Sequence, residues 1–148
     1  MSTKSINVLG YTGNNSQFVV KTLNTDLKIN QSASHPGQLP NPFEYILAGF
    51  AGCINALGQL IAIEQNIVLD SLQVEIVGDL NTDRYEGRLT NERAGFSKIE
   101  ITLKPTTSTP LAQLMQWLKE IQARSPVYDN LVNSTPVDLI LYKEYAHT

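Results

Sequence analysis

The segment NPFEYILAGFAGC, residues 41–53, marks the start of a long helix. Asn41 is of the residue type that caps helix starts, Pro42 suits the first helical position, and Glu44 completes a capping box three residues after the cap. Apolar residues then recur at helical spacing: Phe43, Ile46, Leu47, Phe50, Ile54, Leu57 and Ile61. The pattern predicts a helix that begins after Asn41 and runs to about Asn66.

The middle of this helix is unusually apolar. From Tyr45 to Ile63 there are nineteen residues without a charge, which is long enough to cross a membrane. Asn55 and Gln59, three glycines and the lack of flanking Lys or Arg clusters argue against a span. The alternative is a helix buried on every side, and one small domain can hardly cover all sides of such a helix. A dimer that wraps two such helices would cover them, so we expect no membrane span.

The residues on either side of the helix predict strands and two more helices. Three short strands are expected at residues 6–13, 17–23 and 25–31, and further strands at 71–80, 98–104 and 137–145. The polar segment 81–95 is either a surface loop or the twisted ends of two long strands.

The remaining helix predictions rest on caps and apolar faces. A second helix is expected with Thr109 as cap and Pro110 at its first position, ending near Arg124. Its predicted apolar face consists of Leu111, Leu114, Leu118 and Ile121. A short third helix should start at Ser125 and Pro126. The order βββ-α-ββ-α-(short α)-β is an α+β arrangement rather than alternating βαβ.

Length and composition exclude several function classes. The 148 residues fit one domain, 1–148, and the net charge of -3 with scattered Lys and Arg gives nucleic-acid binding no electrostatic support. A single cysteine and the absence of a signal peptide indicate a cytoplasmic protein. No glycine-rich phosphate loop and no pair of residues at metal-ligand spacing occurs, so we expect neither cofactor nor metal.

Cys53 admits two interpretations. Its helical neighbours are small or apolar, and a thiol buried among such residues is inert. A reactive thiolate would need a positive environment, which the helix start at Ser125 and the adjacent Arg124 can supply if folding brings them to Cys53. A Cys-His hydrolase with His35 as the base is a further alternative.

Four segments together resemble the OsmC/Ohr family of osmotically inducible and organic hydroperoxide resistance proteins. They are NPFEYILAGFAGC, LQVEIVGDL, GFSKIEITL and RSPVYDNLVNSTPV, and the resemblance runs from Pro40 to Val137. It implies an α+β fold in which two chains interlock as a homodimer. Antiparallel sheets from both subunits would wrap a pair of long central helices, with two sites at the dimer interface, each built around a cysteine.

The resemblance implies roles for individual residues. Cys53 matches the peroxidatic cysteine, whereas Ser125 occupies the position of the resolving cysteine, and a hydroxyl cannot form a disulfide. The family's glutamate falls on Phe43, and Glu44 is displaced by one residue to the side of a straight helix opposite Cys53. The family's N-terminal arginine is missing, and Arg124 is the candidate substitute. The predicted site residues are therefore Cys53, Ser125, Arg124 and Glu44.

The leading interpretation is a cytoplasmic, homodimeric, OsmC-like redox protein in oxidative-stress defence. It would act as a one-cysteine thiol peroxidase in which Cys53 reduces organic hydroperoxides and an external thiol reduces the resulting sulfenic acid. The alternative is a non-catalytic module that binds or senses a small hydrophobic ligand at the dimer interface. A third interpretation, a structural cysteine in a protein that acts only through protein partners, also stays open.

Overall fold

A computed structural model describes residues 2–12, 17–30 and 38–144 of the chain. Within these ranges the elements follow the order β1-β2-β3-α1-β4-β5-α2-α3. The first three strands, β1 (Leu9–Thr12), β2 (Phe18–Lys21) and β3 (Asp26–Ile29), form an antiparallel sheet in sequential order. The three N-terminal strands and the α+β class predicted from the sequence are confirmed.

The long helix α1 (Pro42–Glu64) begins as its cap predicts. The backbone N–H of Glu44 donates to Asn41 Oδ1 at 2.8 Å, and the backbone N–H of Asn41 donates to Glu44 Oε1 at 3.0 Å, which completes a capping box. The helix ends two residues before the predicted Asn66. Asn66 has a φ of 58°, the left-handed conformation that asparagine tolerates and that commonly ends helices.

Two long strands form the second sheet. β4 (Ser71–Leu80) pairs antiparallel with β5 (Phe96–Thr106), and the apolar side chains of both strands alternate with exposed polar ones. Residues 81–95 between them form a surface loop rather than extensions of the strands. Arg84 orders this loop, because its guanidinium donates to the carbonyl oxygens of Glu92 and Thr90 at 3.0 and 3.2 Å.

The helix α2 (Leu111–Arg124) differs from its prediction at its start and in its buried face. Pro110 occupies the cap position instead of Thr109, whose backbone N–H and hydroxyl are both bonded to the Thr107 hydroxyl. The predicted apolar face is also wrong in part, since Leu111 is exposed and Leu118 lies at the surface. The buried residues of this helix are Trp117 and Ile121. The large indole takes the core position, Leu114 packs beside the core, and Leu111 and Leu118 face outward.

The short helix α3 (Pro126–Val132) starts at Ser125 as predicted, but the predicted final strand does not form. Residues 137–144 belong to no helix or strand, and Tyr145 lies outside the described residues. Leu139 and Leu141 in this segment are almost fully exposed. A strand needs a hydrogen-bonded neighbour, and no described strand pairs with this segment.

The core lies where α1 packs against α2 and sheet β4–β5. Its buried members are Phe50, Ile54, Ile61, Ala62, Ile67, Trp117 and Ile121. Trp117 connects the two helices, because its indole Nε1–H donates to the carbonyl oxygen of Gly58 at 2.9 Å. These contacts cover only one side of α1. On the uncovered side, the exposed residues include Gly52, Ala56, Leu60 and Ile63.

The exposed side of α1 bears on the membrane question. In the described residues α1 is long and apolar enough to cross a membrane by length and composition, and 28% of its most apolar window is buried. This is weak evidence for a span, because core helices of soluble proteins meet the same criterion.

The contact between Gly58 and Trp117 predicts a stability change. A Cβ added at Gly58 would lie 3.1 Å from both Leu72 Cδ2 and Trp117 Cζ2, and the hydrogen-bonded indole has little freedom to move. We expect Gly58→Ala to lower the free energy of unfolding in urea by about 1 kcal/mol, because the overpacking outweighs the gain in helix propensity. Gly49→Ala is the matched control, since an added Cβ there meets no atom within 4 Å. Equal urea midpoints for Gly58→Ala and the unmodified protein would contradict the prediction.

Candidate functional site

The site is built where the middle of α1 meets the turn between α2 and α3. Cys53 is half-buried on α1, and its Sγ lies 3.4 Å from the Oγ of Ser125. The two residues are 72 positions apart in the chain, so the packing of α2 and α3 on α1 brings them together. The structure thus places in contact the two residues that the family resemblance pairs.

Ser125 is held in a defined orientation beside the thiol. Its side chain is buried, with 2% exposure, and its Oγ accepts a hydrogen bond from the backbone N–H of Tyr128 at 3.1 Å. This bond makes Ser125 the cap of α3. Since the Oγ already accepts from Tyr128, its own hydrogen is available to the sulfur of Cys53. A hydroxyl in this arrangement can donate to a thiolate and stabilise its charge.

Arg124 does not supply charge to Cys53 in this structure. Its guanidinium forms a two-pronged ion pair with Glu64, with nitrogen–oxygen distances of 2.7 and 3.3 Å, and lies 3.6 Å from Glu120. The hydrogen bond from Arg124 lowers the pKa of the Glu64 carboxyl and the same bond raises the pKa of Arg124. Glu64 ends α1, about 16 Å along the helix axis from Cys53. Within one chain Arg124 is therefore paired with Glu64, and its pairing with the thiol stays a prediction.

Glu44 is a helix cap within one chain. Its carboxylate accepts the backbone N–H of Asn41 in the capping box described above. Nine residues separate it from Cys53, which places the two side chains on opposite sides of α1. The interpretation of Glu44 as a capping-box residue is confirmed.

Two other kinds of site were considered from the sequence, a Cys-His hydrolase and a metal site. His35 lies outside the described residues, so the Cys-His hydrolase stays a prediction. Within the ranges that the structure describes, no group of three or more His, Cys, Asp or Glu side chains is placed to hold a metal ion.

Two aromatic residues lie one turn from the site residues: helical spacing places Phe50 on the same face as Cys53, and Tyr128 was not predicted from the sequence. Phe50 lies one helical turn before Cys53, and Tyr128 lies three residues after Ser125. Their rings meet edge to face with centroids 6.4 Å apart. The same one-turn spacing applied to Ser125 would have found Tyr128, because residues three apart on a helix share a side.

A cleft of about 1040 Å³ opens next to these rings. It lies between α1, β5 and the end of α3 with the residues that follow, and Phe50 and Tyr128 both line it. Its lining does not include Cys53.

Comparison with known sequences identifies the family. The family model of OsmC-like proteins matches residues 35–140. Because the match spans more than half of the chain, this protein belongs to the OsmC-like family. No curated protein matches the sequence significantly.

Solved structures share the fold at low sequence identity. The OsmC-like protein of Mycoplasma pneumoniae has a TM-score of 0.76 and 16% identity over 88% of this chain and 89% of that chain. The organic hydroperoxide resistance protein OsmC of Legionella pneumophila has a TM-score of 0.61 and 16% identity over 88% and 91% of the two chains. A Vibrio cholerae protein described as an organic hydroperoxide resistance protein, with captopril in one active site, has a TM-score of 0.60 and 20% identity over 90% and 88%.

Proposed function

We propose that this protein is a one-cysteine thiol peroxidase that reduces organic hydroperoxides through Cys53. The observation that carries the proposal is the contact between Cys53 Sγ and the buried hydroxyl of Ser125, at 3.4 Å. The hydroxyl is oriented by the backbone of Tyr128 so that it can donate to the sulfur. Family membership and the names of the Legionella pneumophila and Vibrio cholerae structures support a redox role.

The first step oxidises the thiol and reduces the peroxide. The Cys53 thiolate attacks the distal oxygen of R–O–O–H, a sulfur–oxygen bond forms, and the O–O bond breaks. The leaving alkoxide takes a proton and departs as an alcohol, and Cys53 becomes a sulfenic acid. Before attack, the Ser125 hydroxyl stabilises the negative charge on sulfur by a hydrogen bond.

The second step needs a thiol from outside the chain. Cys53 is the only cysteine in the sequence, so the sulfenic acid has no partner within the chain. An external thiol condenses with it to give a mixed disulfide and water, and a second thiol releases Cys53 as a thiol. Captopril, found in an active site of the Vibrio cholerae structure, is itself a small thiol, which supports access of such a molecule to this fold.

We further propose that the active form is a cytoplasmic homodimer serving oxidative-stress defence. The uncovered side of α1 carries small and apolar residues together with Asn55 and Gln59, and several apolar side chains of residues 137–144 are exposed. A two-stranded sheet such as β4–β5 is marginal by itself and gains stability from added strands. A second copy that covers α1 and pairs with the free strand edges would bury these surfaces.

A non-catalytic module that binds a small hydrophobic ligand at the dimer interface is the second candidate. Arg124 pairs with Glu64 rather than with the thiol, and Phe43 occupies the place of the family's glutamate. Phe43 packs instead against the ring of Tyr85, with centroids 5.9 Å apart. These features favour a protein that has kept the interface pocket without turnover chemistry.

The rate of Cys53 oxidation separates the two candidates. In stopped-flow measurements we expect cumene hydroperoxide to oxidise Cys53 about a hundredfold faster than it oxidises free cysteine, the scale that one preorganised donor contributes. Hydrogen peroxide, which has no apolar group to bury, should react more slowly. Cys53→Ser is the control for signal from other residues. A rate equal to that of free cysteine would reject the peroxidase and favour the binding module.

A further inference from the structure

The short helix α3 has to be positioned by contacts with the rest of the chain. It spans Pro126–Val132, and none of its residues is buried. A helix of about two turns is not stable by itself in water, so its direction depends on the side chains that tie it to other elements. Val127 and Tyr128 are the residues of α3 that pack against the core. The direction of α3 matters for the site because Ser125 caps this helix.

Tyr128 links α3 to both of the other helices. Its ring meets the ring of Phe50 on α1 edge to face, with centroids 6.4 Å apart, and Phe50 is fully buried in the core. The Tyr128 hydroxyl accepts a hydrogen bond from the side-chain amide of Gln122 on α2 at 2.5 Å. Contacts at both the ring and the hydroxyl restrict the rotation of this side chain. The backbone of Tyr128 is therefore held relative to α1 and α2.

The backbone of Tyr128 in turn sets the direction of the Ser125 hydroxyl. A serine side chain has three staggered rotamers, and the packing of α2 on α1 fixes only where its backbone lies. The N–H of Tyr128 donates to Ser125 Oγ at 3.1 Å, which selects the rotamer that lies 3.4 Å from Cys53 Sγ. A hydrogen bond weakens steeply as it bends. Ser125 therefore depends on Tyr128 for the angle at which its hydroxyl faces the sulfur.

We propose that Tyr128 is a positioning residue for the Cys53 site, and that Gln122 fixes Tyr128 in place. Both act through the Ser125 hydroxyl, which they aim at the sulfur. This role rests on the proposed function, in which that hydroxyl stabilises the Cys53 thiolate. A stabilised thiolate persists to lower pH, so a loss of the alignment makes Cys53 less reactive near neutral pH.

The test follows the alkylation of Cys53 by iodoacetamide as a function of pH, because this reagent reacts with the thiolate and involves no peroxide. In the 148-residue chain, Ser125→Ala should raise the pH of half-maximal alkylation rate by about one pH unit, the scale of one charge-assisted hydrogen bond. Tyr128→Phe keeps the ring and removes the hydroxyl, and we expect a rise of about half a pH unit. Gln122→Leu removes the other end of the same bond and should give the same rise.

A purely structural role of Tyr128 is separated by repeating Tyr128→Phe in the Ser125→Ala background. If Tyr128 acts through the Ser125 hydroxyl, the second substitution should raise the half-maximal pH no further. Tyr85→Phe is the matched control, because it removes a tyrosine hydroxyl from the exposed loop at 81–95. Additive rises in the double variant, or equal rises for Tyr128→Phe and Tyr85→Phe, would overturn the proposal.

Failure of the proposed function gives a different set of results. An unchanged pH profile in Ser125→Ala would overturn both the stabilisation of the thiolate by Ser125 and the positioning role of Tyr128. A rise in Ser125→Ala without one in Tyr128→Phe and Gln122→Leu would overturn the positioning role alone. The expected pH profiles together with slow oxidation of Cys53 by cumene hydroperoxide would support the positioning role and reject the peroxidase.

Discussion

Cysteine in place of Ser125 is expected to convert the oxidised protein from a sulfenic acid to an internal disulfide. The Sγ of Cys53 and the Oγ of Ser125 are 3.4 Å apart, so two sulfurs at these positions have to approach by only about 1.4 Å to bond. One equivalent of hydroperoxide should remove one thiol per chain in the unmodified protein and two in Ser125→Cys. Peptide mapping under non-reducing conditions should then show positions 53 and 125 joined.

Ser125→Ala is the matched control for this experiment. Both substitutions remove the hydroxyl that caps α3, at a cost of about 0.5–2 kcal/mol, and only the cysteine can form a disulfide. Dimedone should trap the sulfenic acid in Ser125→Ala and fail to trap it in Ser125→Cys. A disulfide formed with diamide but not with peroxide would confirm the geometry and reject the peroxidase. No disulfide with either oxidant would contradict the placement of Ser125 beside Cys53.

Leucine in place of Gly52 is expected to break the proposed homodimer. Within one chain a Cβ at Gly52 meets no atom within 4 Å, so the substitution fits the single chain and removes a flexible glycine from a helix. In a dimer that covers this side of α1, symmetry places the added side chain twice in the interface. Overpacking of about 2–6 kcal/mol per dimer raises the dissociation constant about 30-fold or more.

Sedimentation velocity over a range of protein concentrations measures this constant, with Gly52→Ala as the small-residue control. Circular dichroism on the same samples separates two kinds of dimer. If the subunits interlock, the loss of assembly should coincide with a loss of folded structure. A Gly52→Leu variant that is a stable, folded monomer would support a simple association and reject interlocking. An unchanged dissociation constant would place the interface elsewhere on the chain.

Local sequence signals predicted much of the fold, because the features they describe are themselves local. The cap of α1 depends on Asn41 and Glu44, which are neighbours in the chain, and the alternation in β4 depends on consecutive residues. The buried face of α2 was predicted in part: Ile121 was expected and is buried, but Trp117 was not distinguished from the leucines around it. The outcome depends on the fit of Trp117 against Gly58, 59 residues earlier.

The candidate site was also predictable in part, but not from local sequence signals, because its residues lie far apart in the chain. Nothing in the spacing of Cys53 and Ser125 brings them together: the helix start at Ser125 made it a candidate partner for the thiol, and the family resemblance supplied the pairing. Arg124 was a reasonable candidate because it adjoins Ser125, but Glu64 at the end of α1 competes for it and forms the two-pronged pair. The cleft was not predictable, since its lining comes from residues 46 to 137 and exists only after α1, β5 and α3 have packed.

The polar contacts between α1 and α2 have a consequence for how variants at Ser125 are interpreted. Trp117 bonds to the backbone of Gly58, Gln113 bonds to the carbonyl oxygen of Gln65, and Arg124 bonds to Glu64. None of these contacts involves Ser125. Contacts between the two helices therefore hold the turn that carries Ser125 in place, independently of the Ser125 side chain. A substitution at Ser125 changes the group that faces Cys53, while the distance between the two positions stays fixed by these contacts.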